Sequence, residues 1–154
     1  MSKRLAVLRH SKAVQVLGLA DHERSLAERG RGDAAAMGGY LRSSGVVPDQ
    51  VLCSTALRTR ETLDGLALGD VPVAFERGIY IGDGYDLLTL IQITEDDVDT
   101  LLLVGHNPAV HELVLVLSGE SVPEFPTSAL AVIEMEDWSV SGGRLLDYRT
   151  PKTI

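Results

Sequence analysis

The chain has 154 residues, 45% apolar and 23% charged, and carries a formal net charge of −8. A length of this order suits one domain, expected over residues 1–154, with a core large enough to fold alone. The acidic balance argues against a general nucleic-acid binder or an anionic-membrane binder, which need basic surface, yet it permits a local arginine cluster that holds a small anion.

Cys53 is the only cysteine, so no internal disulfide can form, which fits a reducing compartment. Arg9, His10 and Lys12 interrupt the apolar run after Lys3 and Arg4, so no signal peptide is expected. The runs "TLLLV" and "LVLVL" are far shorter than a membrane span. A cytoplasmic protein is the expectation.

In chain order, the first strand is expected at Arg4–Arg9, followed by a polar, Gly-containing loop to Arg24. Ser25 with Glu28 three positions on forms a capping pattern, so the first helix is expected to start there, to bury Leu26, Ala34, Met37 and Leu41, and to stop at Gly45. "QVLCS" gives a second strand ending at Ser54, and "ALRTRETLDGLA" the next helix. "VPVAF" gives a third strand, followed by a Gly-rich loop around Gly78, Gly82 and Gly84 and a helix carrying "YDLLTLIQI". "TLLLVG" is a fourth strand ending beside His106, and Pro108 suits the first turn of the helix "AVHELVLVLSG". "ALAVIEME" and "RLLDYR" are the last strands, joined by "SVSGG" as a hairpin turn. The acidic run Glu95–Asp99 is a solvated connector. The alternation implies an α/β fold in three layers: a mostly parallel sheet of about six strands flanked by helices, with one antiparallel edge strand.

Ligands of such sheets bind beyond the carboxyl ends of the strands. There the first strand delivers Arg9 and His10, the second Ser54 with Arg58 one helical turn later, and the fourth Gly105 and His106. The set suits phosphoryl transfer. Guanidinium groups match phosphate oxygens and neutralise transition-state charge. A neutral imidazole nitrogen attacks phosphorus in line. Its other nitrogen then carries the proton, given to a backbone carbonyl. A second histidine donates to phosphoryl oxygens, and a helix N-terminus adds positive potential.

"LRHSKA", "STALRTRET" and "LVGHNP", in that order, resemble the histidine phosphatase (phosphoglycerate mutase-like) superfamily. The short chain, "DHERSLAERG" and "FPTSALAVIE" resemble its SixA-type phosphohistidine phosphatase branch. The resemblance spans nearly the whole chain. It implies that His10 is the phosphorylated nucleophile and that Arg9, Arg58 and His106 complete the phosphate pocket, with Ser11 and Arg24 as further substrate contacts. Ser11 stands where the family often has Gly or a small polar residue, and Ser25 where it usually has Pro. A leaving-group acid is expected at Asp21, with Glu76 as the alternative. The expected substrate is a phosphohistidine on a protein. The alternatives are a small phosphomonoester or a phosphate-binding module without catalysis; a mutase fits less well, because it needs a lid over its intermediate.

Other residues have plainer readings. Arg24 either contacts substrate or pairs with Glu28. Arg60 and His22 are expected in solvent, and Tyr80 and Tyr85 either line the pocket rim or pack, with packing the default. Cys53 fits no Cys-x5-Arg loop, since four residues separate it from Arg58 and six from Arg60, and it reads as a small buried hydrophobe. His106 and His111 are poorly spaced for a shared metal, so neither metal nor cofactor is expected. "GIYIGDG" does not match a dinucleotide-binding loop.

Overall fold

Continuous aliphatic runs place β1 (Lys3–Arg9) and β4 (Thr100–Gly105) in the interior of the sheet. The computed structural model describes residues 2–140 and 142–154. Strands β1 (Lys3–Arg9), β2 (Gln50–Ser54), β3 (Val73–Glu76) and β4 (Thr100–Gly105) run parallel. β5 (Leu130–Met135) is antiparallel to β1, and β6 (Arg144–Arg149) is antiparallel to β5. The sheet order is β3-β2-β4-β1-β5-β6, the expected mostly parallel α/β sheet with an antiparallel pair at one edge. Because β5 reverses direction, its start pairs with the end of β1, Leu8 opposite Leu130. The segment before β5 therefore reaches the carboxyl edge of the parallel strands.

Successive strand residues point to opposite faces, and here both faces are buried. Leu5, Val7, Leu101 and Leu103 join a cluster with Leu87 and Ile91 of α4 (Gly84–Gln92) and Val110, Leu113 and Leu117 of α5 (Ala109–Ser118). The intervening residues Ala6, Leu8, Leu102 and Val104 join Met37 and Leu41 of α1 (Glu28–Ser43) and Leu63 and Leu66 of α2 (Leu57–Leu66). This double burial explains why β1 and β4 read as unbroken apolar runs rather than alternating ones. Among the described residues, no helix is long and apolar enough to cross a membrane.

Three local expectations change. The helix expected after Ser25 begins later, at Glu28, with Ala27 as N-cap and no side-chain cap. Leu26 instead forms an antiparallel bridge with Ala13, and its N–H is taken by the Glu61 carboxylate at 2.8 Å. Val14 N–H to Ser25 O and Ala27 N–H to Lys12 O complete this clasp, which pins the loop after β1 against α1 and α2. At Gly30, a Cβ would lie only 2.1 Å from the Lys12 carbonyl oxygen, so this approach requires glycine. Second, the Gly-rich stretch after β3 contains a short helix, α3 (Arg77–Ile81), and a capping box in which Asp83 and Asp86 start α4. Third, β5 and β6 pair as a hairpin, but residues 136–143 link them and Trp138 in that link is buried; Ser141 of the expected turn lies outside the described residues.

Candidate active site

The carboxyl edge gathers the side chains singled out in the sequence. A cavity of about 290 Å³ is lined by Arg9, His10, Lys12, Gln15, Arg24, Arg58, His106, Asn107 and Thr127, with Ala13 at its wall. A wider groove adjoins it and shares Gln15 and Arg24.

His10 follows β1 directly and is 7% exposed. Its Nδ1 lies 2.8 Å from the Ser11 carbonyl oxygen. A carbonyl only accepts, so Nδ1 carries the proton and Nε2 of the neutral ring keeps its lone pair. Burial above all lowers the His10 pKa to about 4; the Ser11 hydrogen bond is the next largest effect and opposes it, and the Arg58, Arg9 and Arg24 charges lower it further. His106 leaves β4 and faces His10 with ring centroids 5.3 Å apart. Burial first, then His10 and Arg58, lower its pKa to about 3. Both rings are therefore uncharged near neutral pH. His106 Nε2 shares a 2.7 Å hydrogen bond with Ser54 Oγ, which also accepts the Ala56 N–H.

The arginines come from different elements. Arg9 is the last residue of β1 and donates to Phe125 O at 3.2 Å; its pKa is lowered by burial and then by Arg58. Arg58, in the first turn of α2, is 7% exposed and donates to the backbone oxygen and the carboxylate of Asp21 at 2.8 and 3.1 Å. Arg9 Nε, Arg58 Nε and His106 Nδ1 are buried without hydrogen-bond partners among the described residues. Cavity-lining side chains thus retain hydrogen-bonding capacity that the fold itself does not use.

Asp21 does not have the environment of an acid. Tyr80 donates to its carboxylate at 2.8 Å, and Arg24 and Arg58 each donate at 3.1 Å. The Tyr80 hydroxyl, followed by Arg24 and Arg58, holds Asp21 well below the usual carboxylate range despite an opposing effect of burial. An anion held this firmly is a poor proton donor, and its geometry is that of an anchor for the two arginines. Glu76, the alternative acid, ends β3 opposite Ser54 and is absent from the cavity lining. Arg24 pairs with Asp21 rather than Glu28, donates to Val14 O and lines the cavity.

Ser11 is fully buried, bonded through its N–H to Thr62 Oγ1 and through its hydroxyl to Ser128. It braces the site rather than lining the cavity. Tyr80, for which packing was the default expectation and the pocket rim the alternative, bonds Asp21 and sits edge-on to both His22 and His106. His22, expected in solvent, is part-buried and bonded to Thr55 Oγ1. Arg60 lies over the Phe75 ring, and His111 is bonded to Val122 O. Cys53 is fully buried, with its thiol pushed up to about 12, mainly by burial. Gln15, Asn107 and Thr127 line the cavity without having been singled out, as polar loop residues carry no distinguishing signal in one sequence.

No protein-family model matches the chain. It is 30% identical to the phosphohistidine phosphatase SixA of Escherichia coli over 137 residues, covering 85% of this chain and 84% of that protein. The chain belongs to the SixA phosphohistidine phosphatase family. A structure from Nakamurella multipartitia assigned as SixA superposes with a TM-score of 0.91 at 26% identity, covering 98% of this chain and 97% of that one. The protein histidine phosphatase SixA complexed with tungstate superposes at 0.87 with 26% identity and 97% of both chains covered. Membership makes this chain an enzyme of the histidine phosphatase superfamily.

Proposed function

We propose that the enzyme hydrolyses phosphohistidine on a protein, without metal, through a phosphohistidine intermediate at His10. The neutral Nε2 of His10 attacks phosphorus, and the bond from phosphorus to the leaving imidazole breaks. That imidazole keeps the electron pair and the proton on its other nitrogen, so it departs neutral. Water then attacks phospho-His10, releasing inorganic phosphate and restoring the lone pair on Nε2. Arg9, Arg58 and His106 hold the phosphoryl oxygens and offset their charge in the transition state, with Arg24 at the cavity mouth.

One observation carries the choice of substrate: among the described residues, the cavity offers no carboxylic acid and no imidazolium to protonate a leaving group. The Asp21 carboxylate accepts from Tyr80, Arg24 and Arg58, both histidines are uncharged, and Glu76 is outside the lining. An alkyl phosphomonoester would have to expel an alkoxide without either of these acids. Phosphohistidine brings a leaving group that already carries its proton. A related SixA structure is a complex with tungstate, an oxyanion, which supports oxyanion binding by this fold. The test is a substrate series with chelator present, comparing a phosphohistidine peptide, aryl phosphates of graded leaving-group acidity, and an alkyl phosphate such as phosphoserine. Turnover is expected to fall steeply as the leaving group becomes more basic and to vanish for phosphoserine. Equal turnover of phosphoserine and phosphohistidine, or dependence on added metal, would overturn the proposal.

A further inference from the structure

Ser128 lies two residues before β5 and combines features that ordinary packing does not require. It is a non-glycine residue at φ +66° and is fully buried. That left-handed backbone is costly for a side chain with a Cβ, and such strain concentrates at functional sites, held by surrounding contacts. One of its hydrogen bonds runs to the nucleophile's own peptide and another to the side chain of the next residue. Ser128 N–H donates to His10 O at 3.0 Å. Its hydroxyl lies 2.6 Å from Ser11 Oγ. The other end of the same peptide, Ser11 N–H, is taken by Thr62 Oγ1 at 2.9 Å, and Thr62 in turn donates to Arg58 O.

We propose that Ser128 is a positioning residue for His10, building on the reading that His10 is the nucleophile. With both ends of the His10–Ser11 peptide held, the next carbonyl, Ser11 O, is fixed where it receives the Nδ1 proton of His10. Ser128 thus sets the tautomer of the attacking ring without touching substrate. The left-handed backbone directs its N–H to His10 O, while the side chain secures Ser11. The site therefore needs a hydroxyl at a position where glycine would fit the backbone with less strain.

Ser128→Gly and Ser128→Ala test this together. Both are expected to lower kcat about tenfold with KM within about twofold, because the ring loses its alignment while the phosphate pocket persists. In wild-type protein the ¹⁵N signals of the His10 ring should report one tautomer with Nε2 unprotonated; in both variants they should report a mixture. Ser11→Ala combined with Ser128→Ala should be little slower than the worse single variant, since the two hydroxyls share one bond. Ser128→Gly relieves the backbone, so it keeps the test open if Ser128→Ala folds poorly. Unchanged kcat and a single tautomer in the variants, or lost stability with neither changed, would overturn the assignment. Full turnover by His10→Ala would instead remove the reading beneath it.

Discussion

The two walls of the cavity are held by different physics. The sheet wall, His10 and His106 backed by Ser11, Ser54 and Ser128, is buried and, apart from Arg9 at the end of β1, uncharged, and its geometry comes from hydroxyls and backbone carbonyls. The loop wall, Asp21, Arg24 and Arg58 with Tyr80, is charged and open on one side; the Asp21 side chain is 53% exposed. A buried wall of neutral rings responds to pH, because charging a ring there is costly. A charged wall open to water responds to salt and to loss of a partner. The division places the attacking atom on the sheet, with Arg9 and His106 beside it at the strand ends, while Asp21 ties down Arg58 and Arg24.

Substitutions should separate the walls. The largest effect is expected from His10→Ala, which should reduce turnover to background while circular dichroism stays native. Arg58→Ala should lower kcat by about 10²–10³-fold, the magnitude for losing a charged donor to a transition state. If its loss is matched by a loss of fold, Arg58 is a structural residue. Asp21→Asn should act more mildly, lowering kcat about tenfold as Arg58 loses its orientation, with KM unchanged or lower because the pocket becomes more positive. A fall in kcat confined to substrates with basic leaving groups would restore Asp21 as an acid.

The pH dependence sharpens the same contrast. Free-enzyme pKa values of about 4 for His10 and 3 for His106 predict that kcat/KM, corrected for substrate ionisation, holds down to about pH 5. An acid limb near pH 6.5, the ordinary imidazole value, would contradict the buried neutral ring. Stability follows the same sign. Above about pH 6.5 the rings are neutral in both folded and unfolded chains. Below it, the unfolded chain takes up protons that the fold resists, so stability falls as pH drops through 6.5 toward 4 and 3, by at most roughly 3–5 kcal/mol per ring. Denaturant titrations at pH 7, 5 and 4 check this, and added phosphate should soften the decline by pairing with the arginines.

A smaller effect is expected at the clasp below the loop wall. Gly30→Ala should push Lys12 away from α1 and cost about 1–3 kcal/mol, the range for overpacking a tight contact. Unchanged thermal stability would show that the loop gives way without cost.

The sheet wall was readable in the sequence because its signal is local: an apolar run ending in Arg9-His10 or Gly105-His106 marks a strand end, and parallel strands expose that end to ligand. The long-range partners in both walls were not readable. Tyr80 meets Asp21 across 59 residues and Ser128 meets Ser11 across 117, and neither residue type announces such a role. The late start of α1 has a similar cause. The Ser25–Glu28 capping pattern is a short-range preference, and it is outweighed where Glu61 from α2 claims the Leu26 N–H and Ala13 pairs with Leu26. The three donors that converge on Asp21 were likewise concealed, because Arg58 and Tyr80 come from distant parts of the chain.

The fate of Cys53 has a practical consequence. The sequence contains no other thiol, and this one is fully buried in aliphatic surroundings with its proton held to about pH 12. Oxidants and alkylating agents attack thiolates, so catalysis resting on imidazole should persist under peroxide stress that silences phosphatases built on a cysteine.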